Sequence, residues 1–419
     1  MKKNSIVLIA ALLFAAATVN AGDKVLKLTS SSQEAVETLA EATNALENLR
    51  FGQIGQLSAK ALELDPDFAF ALMYQSVTLP QNQADSLLNL ALSKNISEDE
   101  KTYIEAVQLN RQGNTAEAAE MMDGLAMKYP DDRRIIMFTA ALNTGAGNFE
   151  KASKGFRKAI EMDDSTPRVH QSIANVYVML EEYALARKGL KSAIKMLDRD
   201  TASPGLFLPI SWTYLYEGKT DQALAVVDEM RRRYNRDGSA QGFPPVWIWN
   251  HTARINLENG RLQEALQDYE TGYKSVPASQ INDVQKRVWE QRALHGKART
   301  LAKMGRIDEA WEMAETMKKL LDEEGTDQQK QQFEPAWHYL AGYIKLEAKE
   351  YEKAVDHLKQ ATNTDPFHTL LLGRAYEGAG DLVNAKAAYE KVAASTTNNI
   401  ERALSYPEAR KKLALLSTN

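Results

Sequence analysis

Residues Arg133 to Thr166 read RRIIMFTAALNTGAGNFEKASKGFRKAIEMDDST. With Arg133 as position 1, small residues stand at 8 (Ala140), 20 (Ala152) and 27 (Ala159). A large ring stands at 24 (Phe156) and a glycine at 15 (Gly147). The 34 residues from Pro167 repeat the arrangement with Ala174, Ala186, Leu190 and Ala193, and add Tyr177 at position 11. Positions 4, 7, 8 and 11 share one face of a first helix, and 20, 24 and 27 share one face of a second. Small residues at 8 and 20 let two helices approach closely, and the large residue at 24 fills the space beside them. Single helices of about 12–15 residues are marginal, so such a hairpin needs neighbours stacked on it.

Copies extend in both directions. Segment 366–398 has Gly373, Tyr376, Gly380, Ala385 and Tyr389; segment 335–365 has Gly342, Ala354, Leu358 and Ala361. Segment 246–279 adds Trp249 at position 4, with Ala253, Gly260, Ala265, Tyr269 and Pro277. Weaker copies start near Ala35, Asp65, Asp99, Pro204 and Gln291. The pattern resembles the tetratricopeptide repeat, and ten tandem copies make the resemblance specific. It implies an all-α fold, a right-handed α-solenoid of about ten helix hairpins over residues 35–398. Gly147, Gly218, Gly260, Gly305 and Gly380 fall where a first helix must end in the left-handed conformation. Pro66, Pro130, Pro277 and Pro366 fall where a second helix stops. Unit starts step by 30, 34, 34, 34, 37, 42, 45, 44 and 31 residues. Three junctions therefore carry extra residues, Arg233–Pro245, Ala278–Gln285 and Asp322–Pro335, each absorbed by helix extension or a surface loop. Residues 22–34 read as an extended leader and 399–419 as a solvating C-terminal cap helix, basic near its end at Arg410, Lys411 and Lys412.

The chain begins Met1-Lys2-Lys3, followed by an apolar run from Ile6 to Ala17 and by Val19-Asn20-Ala21. That is the three-part form of a secretory signal peptide over residues 1–21, and the run is too short to span a bilayer. Its removal takes two lysines and no acid, moving the formal charge from −5 to −7. A periplasmic or secreted protein without a stable membrane span is expected. The 419 residues contain no cysteine, which removes disulfides, thiolate metal sites, thiol nucleophiles and a lipidated cysteine together. An acidic balance with pI near 5.9 argues against nucleic acid as partner.

Motifs of metalloprotease, phosphate-loop, serine-hydrolase and dinucleotide sites are all absent from the sequence. No cofactor, no metal and no catalytic residues are therefore expected. The six histidines are scattered over five units, and His170 and His338 fall at a packing position. The acid pairs Asp131-Asp132, Asp163-Asp164 and Glu323-Glu324 lie near unit boundaries, where turn or N-cap duty explains them.

The resemblance implies that first helices line an inner groove with positions 2, 5, 9 and 12. Position 9 of the six C-terminal units reads Asn175, Trp212, Arg254, Arg299, Tyr343 and Arg374. Position 5 adds Asn250, His295 and Tyr339; position 2 adds Trp247 and Arg292. Arginines and aromatics are enriched at binding hot spots, and arginine suits carboxylates. The bland alternative is that these residues pair with acids of neighbouring helices or fill gaps. The lysine and asparagine clamp of the family's best-known sub-type is not reproduced: positions 5 and 9 read Met137 and Ala141, then Gln171 and Asn175. The expected function is a non-catalytic exported scaffold holding a protein or extended peptide, acidic in character. The alternative is glycan or small-ligand binding, or hydrolysis, with Trp212, Trp247 and Trp249 as stacking rings.

Overall fold

The computed structural model describes residues 24–197, 203–237, 244–279, 281–324, 327–361 and 364–417. The signal-peptide segment 1–21 lies outside the described residues. Among those described there are 21 helices and no strand, and the chain divides into two compact units.

The first unit runs to Leu46 and from Arg50 to Asn148. It contains α1 (Gln33–Glu47), α2 (Phe51–Leu64), α3 (Ala69–Ser76), α4 (Gln81–Leu92), α5 (Glu98–Arg111), α6 (Thr115–Lys128) and α7 (Arg133–Gly145). Its core joins Leu39, Ile54, Phe70, Leu88, Ile104, Met122 and Ile135, one from each successive helix. The leader runs beside the helix ends and binds an acid at each of three. The Leu26 amide donates to Asp132 Oδ2 at 3.2 Å. Thr29 donates to Glu100 from its amide (2.7 Å) and its hydroxyl (2.6 Å). Ser30 Oγ and the Ser31 amide donate to Asp65 Oδ2 at 2.6 and 2.8 Å. Burial works against charge on Asp65, but these donors and the Asp67 amide hold its pKa below the ordinary carboxylate value. Glu100 is fully buried and also closes a capping box with Ser97 on α5.

The second unit comprises Glu47–Leu49 and the chain from Phe149 onward. Its helices are α8 (Phe149–Met162), α9 (Pro167–Met179), α10 (Tyr183–Lys195), α11 (Pro204–Tyr216), α12 (Thr220–Asp237), α13 (Pro245–Glu258) and α14 (Leu262–Ser275). They continue as α15 (Asp283–Lys303), α16 (Ile307–Glu324), α17 (Asp327–Glu347), α18 (Tyr351–Leu358), α19 (Pro366–Gly378), α20 (Leu382–Ala393) and α21 (Ile400–Leu416). From α9 to α20 they pack as hairpins, each stacked on the next. The close approach expected from positions 8 and 24 is present. A Cβ on Gly373 would stand 2.6 Å from the Tyr389 ring, and one on Gly342 would stand 2.6 Å from Leu358. The turn after a first helix is left-handed at Gly260 and Gly305, and also at Glu181 and Lys349, where a side chain must bear that conformation.

Two of the three long junctions became helix. Helices α15 and α17 have 21 residues each, so their first two turns are additions to the repeat. Asp132 caps α7, and Asp163 holds a turn through Ser165. The N-cap or turn duty expected of Glu323 is not what it does. It sits in the last turn of α16 and pairs with Lys319 at 3.7 Å, one helical turn back.

Helix α21 packs on α20 and α19 and also on α11. Its Ile400, Arg402, Ala403, Ser405, Tyr406 and Ala409 are buried. Helix α11, by itself nearly apolar all round, is thereby covered on more than one side.

Candidate functional site

Three successive first helices, α13, α15 and α17, enclose a cavity of about 630 Å3 in the second unit, closed at one side by α19 and the start of α21. Trp247, Asn250, His251 and Arg254 project from α13. Helix α15 contributes Arg287, Trp289, Arg292, His295 and Arg299. Helix α17 contributes Phe333 and Tyr339, and α19 contributes His368.

The back wall is a hydrogen-bonded network. Arg299 donates from Nη1 to the Tyr339 hydroxyl (2.7 Å) and from Nη2 to the Tyr269 hydroxyl (3.1 Å). Glu258 lies 3.7 Å from Arg299 and 3.3 Å from Lys303. Burial works against charge on Arg299, but Tyr339, Tyr269 and Glu258 raise its pKa overall. Burial pushes the Tyr339 hydroxyl up to about 12, against the pull of Arg299 and Arg254. Gly296 faces the Tyr269 ring so closely that an added Cβ would stand 2.0 Å from it.

The front is open. Arg254 donates from Nη1 to Glu401 Oε1 at 2.6 Å and lies 5.1 Å from the Phe367 ring, while its Nε and Nη2 have no partner. Arg299 Nε, His251 Nε2 and both amide atoms of Asn250 are likewise buried and unpartnered. Arg292 stacks 4.8 Å from the Trp289 ring. Burial, with Arg254 nearby, lowers the His251 pKa to about 3; burial, Arg299, His368 and Arg254 push His295 well below the usual imidazole value. Both imidazoles are therefore neutral near pH 7.

Of the residues expected to bind a partner, the structure brings Trp247, Asn250, Arg254, Arg292, Arg299 and Tyr339 into this one cavity. Four lie elsewhere. Tyr343 is fully buried behind Arg299, 5.9 Å from its guanidinium. Trp212 is half-buried, with its ring 6.4 Å from His251. Asn175 accepts from Asn398 Nδ2 at 2.8 Å. Arg374 is held by Glu408 of α21 through two bonds of 2.5 and 2.7 Å. Trp249 is covered by Arg231 at 4.2 Å and does not line the cavity.

Spacing alone missed Arg287, Trp289 and Phe333, which stand on the added turns of α15 and α17. It also set the histidines apart, yet His251, His295 and His368 converge on the cavity from three different hairpins. The irregular unit lengths were the signal that pointed there. Among the described residues, no group of three acids, histidines or cysteines could hold a metal ion, and no helix is long and apolar enough to cross a membrane.

A family model described as tetratricopeptide repeat matches residues 208–279. No curated protein matches. Among solved structures, the yeast Tom70 is similar at 12% identity, covering 90% of this chain and 89% of its own, with a TM-score of 0.44. The APC/C hetero-tetramer Cut9-Hcn1 is similar at 13% identity, covering 91% of this chain and 76% of the other, with a TM-score of 0.36. A tetratricopeptide repeat protein from Parabacteroides merdae is similar at 15% identity, covering 63% of this chain and all of its own, with a TM-score of 0.37.

Proposed function

We propose that this chain, matched by a tetratricopeptide-repeat model over residues 208–279, is a non-catalytic, exported scaffold holding a protein partner against the first helices of its second unit. One observation carries this reading: that face already holds a helix. Helix α21 is seated on it through Arg254–Glu401, Arg374–Glu408, Arg402–Tyr216 and Tyr406–Glu181 contacts of 2.5 to 2.9 Å. A face able to grip one helix by arginine–carboxylate and tyrosine contacts suits an acidic segment of a partner where it stays open, at the mouth formed by α13, α15 and α17. Export rests on the three-part form of residues 1–21, and delivers the mature chain to the periplasm or beyond.

A photo-crosslinking residue at Gln291, on the cavity mouth, should capture a defined envelope protein, whereas one at exposed Lys386 on α20 should not. Equal capture from both positions, or none from Gln291, would sink the reading. The intact mass of the protein from envelope fractions should lack residues 1–21; a full-length mass confined to the cytoplasm would remove the export part alone.

A further inference from the structure

The cavity between α13, α15 and α17 carries more chemistry than docking on a helix face requires. We propose that it binds a carboxylate-bearing organic ligand with a flat apolar body and an amide beside its acid group. This goes beyond the scaffold reading and does not rest on it.

Size is the first support, because about 630 Å3 falls inside the usual range of small-ligand sites, roughly 300–1,000 Å3. Charge is the second. Arg254, Arg287, Arg292 and Arg299 line the cavity, and the one carboxylate among the lining residues is Glu401. Glu258 adds an acid behind Arg299, and because Arg292 is exposed and Arg287 half-buried, the charge a ligand meets in the interior is that of Arg254 and Arg299. Arg254 and Arg299 each meet one carboxylate, Glu401 and Glu258, with only part of their donors, and a bound anion would occupy the rest.

Unsatisfied groups are the third support. Arg254 Nε and Nη2, Arg299 Nε, His251 Nε2, and Asn250 Nδ2 and Oδ1 all lack partners and all belong to residues lining this cavity. Arginine donors suit a carboxylate. Asn250 offers a donor and an acceptor together, the complement of an amide. Trp247, Trp289 and Phe333 supply apolar walls for a flat body. Inorganic phosphate would meet the arginines but leave Asn250 Oδ1 and the rings unused, and a neutral sugar would leave the cations unmatched.

The full chain can be titrated with phenylacetate, N-acetylphenylalanine and a hexapeptide ending in phenylalanine, each beside its carboxamide, and with inorganic phosphate. Tryptophan fluorescence and calorimetry are the readouts. N-acetylphenylalanine should bind about tenfold or more tighter than its carboxamide, and tighter than phenylacetate, which lacks the amide. A hexapeptide far tighter than N-acetylphenylalanine assigns the ligand to a peptide end; parity assigns it to a free acid. Asn250→Ala should weaken the acid about five- to tenfold without lowering the unfolding midpoint, because the atoms it removes have no partner. Glu401→Gln should tighten binding several-fold, a gain that misfolding cannot produce. Acid and carboxamide binding equally, no binding up to about 10 mM, or phosphate as tight as the organic acids would overturn the proposal. None of these outcomes touches the crosslink from Gln291, so the two readings fail separately.

Discussion

Buried polar groups are treated in opposite ways beneath the leader of the first unit and at the front of the cavity in the second. In the first, each acid under the leader is closed: Asp65, Glu100 and Asp132 all accept from neighbours that the chain itself brings. In the second, the cavity keeps donors on Asn250, Arg254 and Arg299 without partners. Closed groups hold a fold together, since removing one strands the others. Open groups contribute nothing to the fold and have a cost until something binds them. The difference separates structure from site without any appeal to function.

The sharpest way to break that contrast is to delete a closed group. Glu100→Ala takes the acceptor from the Thr29 amide and hydroxyl and from the Ser97 amide and hydroxyl and empties a buried site, and should destabilise the first unit by about 2 kcal/mol. Denaturant unfolding measures the loss, and hydrogen exchange at the Thr29 amide locates it. If Glu100→Ala cost less than Asn250→Ala, closed and open would be empty labels.

A second test separates the back of the cavity from its front. Gly296→Ala puts a methyl into the Tyr269 ring, which must then leave its bond to Arg299. The overpacking should destabilise by about 2–3 kcal/mol in thermal unfolding. Substitution at the front, at Arg292, should leave the midpoint within roughly 0.5 kcal/mol. Equal costs would mean that the cavity has no rigid side.

Acid should act on the front of the cavity. His251 has a folded-state pKa depressed from 6.5 to about 3, chiefly by burial. Below about pH 6.5 the unfolded chain takes up a proton that the folded chain refuses until about pH 3. Stability is therefore complete above that window and falls as pH drops through it, by at most about 2 kcal/mol at roughly pH 5 before solvent screening. His295, shifted in the same direction, adds to the slope. His251→Gln should flatten the pH dependence of the unfolding midpoint, and an unchanged slope would show that the ring is not buried in solution.

Much of the hairpin geometry was legible because it depends on neighbours in sequence. Gly373 against Tyr389, and the glycine turns at 260 and 305, follow from spacing within one unit. Six of the ten candidate residues share a cavity because stacking sets equivalent positions of successive first helices side by side. What spacing could not show is the return of the C-terminus: Asn175 meets Asn398 across 223 residues, and no repeat period encodes such a contact. A trace of it was present in Leu206 to Tyr216, apolar on every side, which a helix with one open face has no reason to be. Convergence of His251, His295 and His368 was hidden similarly, since each occupies a different position of its own unit.

The smallest expected effect bears on strain, where the second unit offers an internal control. Glu181 and Lys349 both carry a side chain in the left-handed conformation that glycine fills at 260 and 305. Glu181 uses its side chain, accepting from Tyr406 at 2.5 Å and lying 3.7 Å from Arg410 of α21. Lys349 is exposed. Lys349→Gly should therefore raise stability by about 0.5–1 kcal/mol, because it relieves the strained φ and loses little. Glu181→Gly relieves the same strain but takes away the acceptor of the Tyr406 hydroxyl, which keeps only the Arg410 donor, so its net change should be zero or negative, and α21 should exchange faster with solvent deuterium. Were both changes equally stabilising, the seating of α21 on the first helices would contribute nothing at this end. The open face of the second unit would then be larger than the cavity.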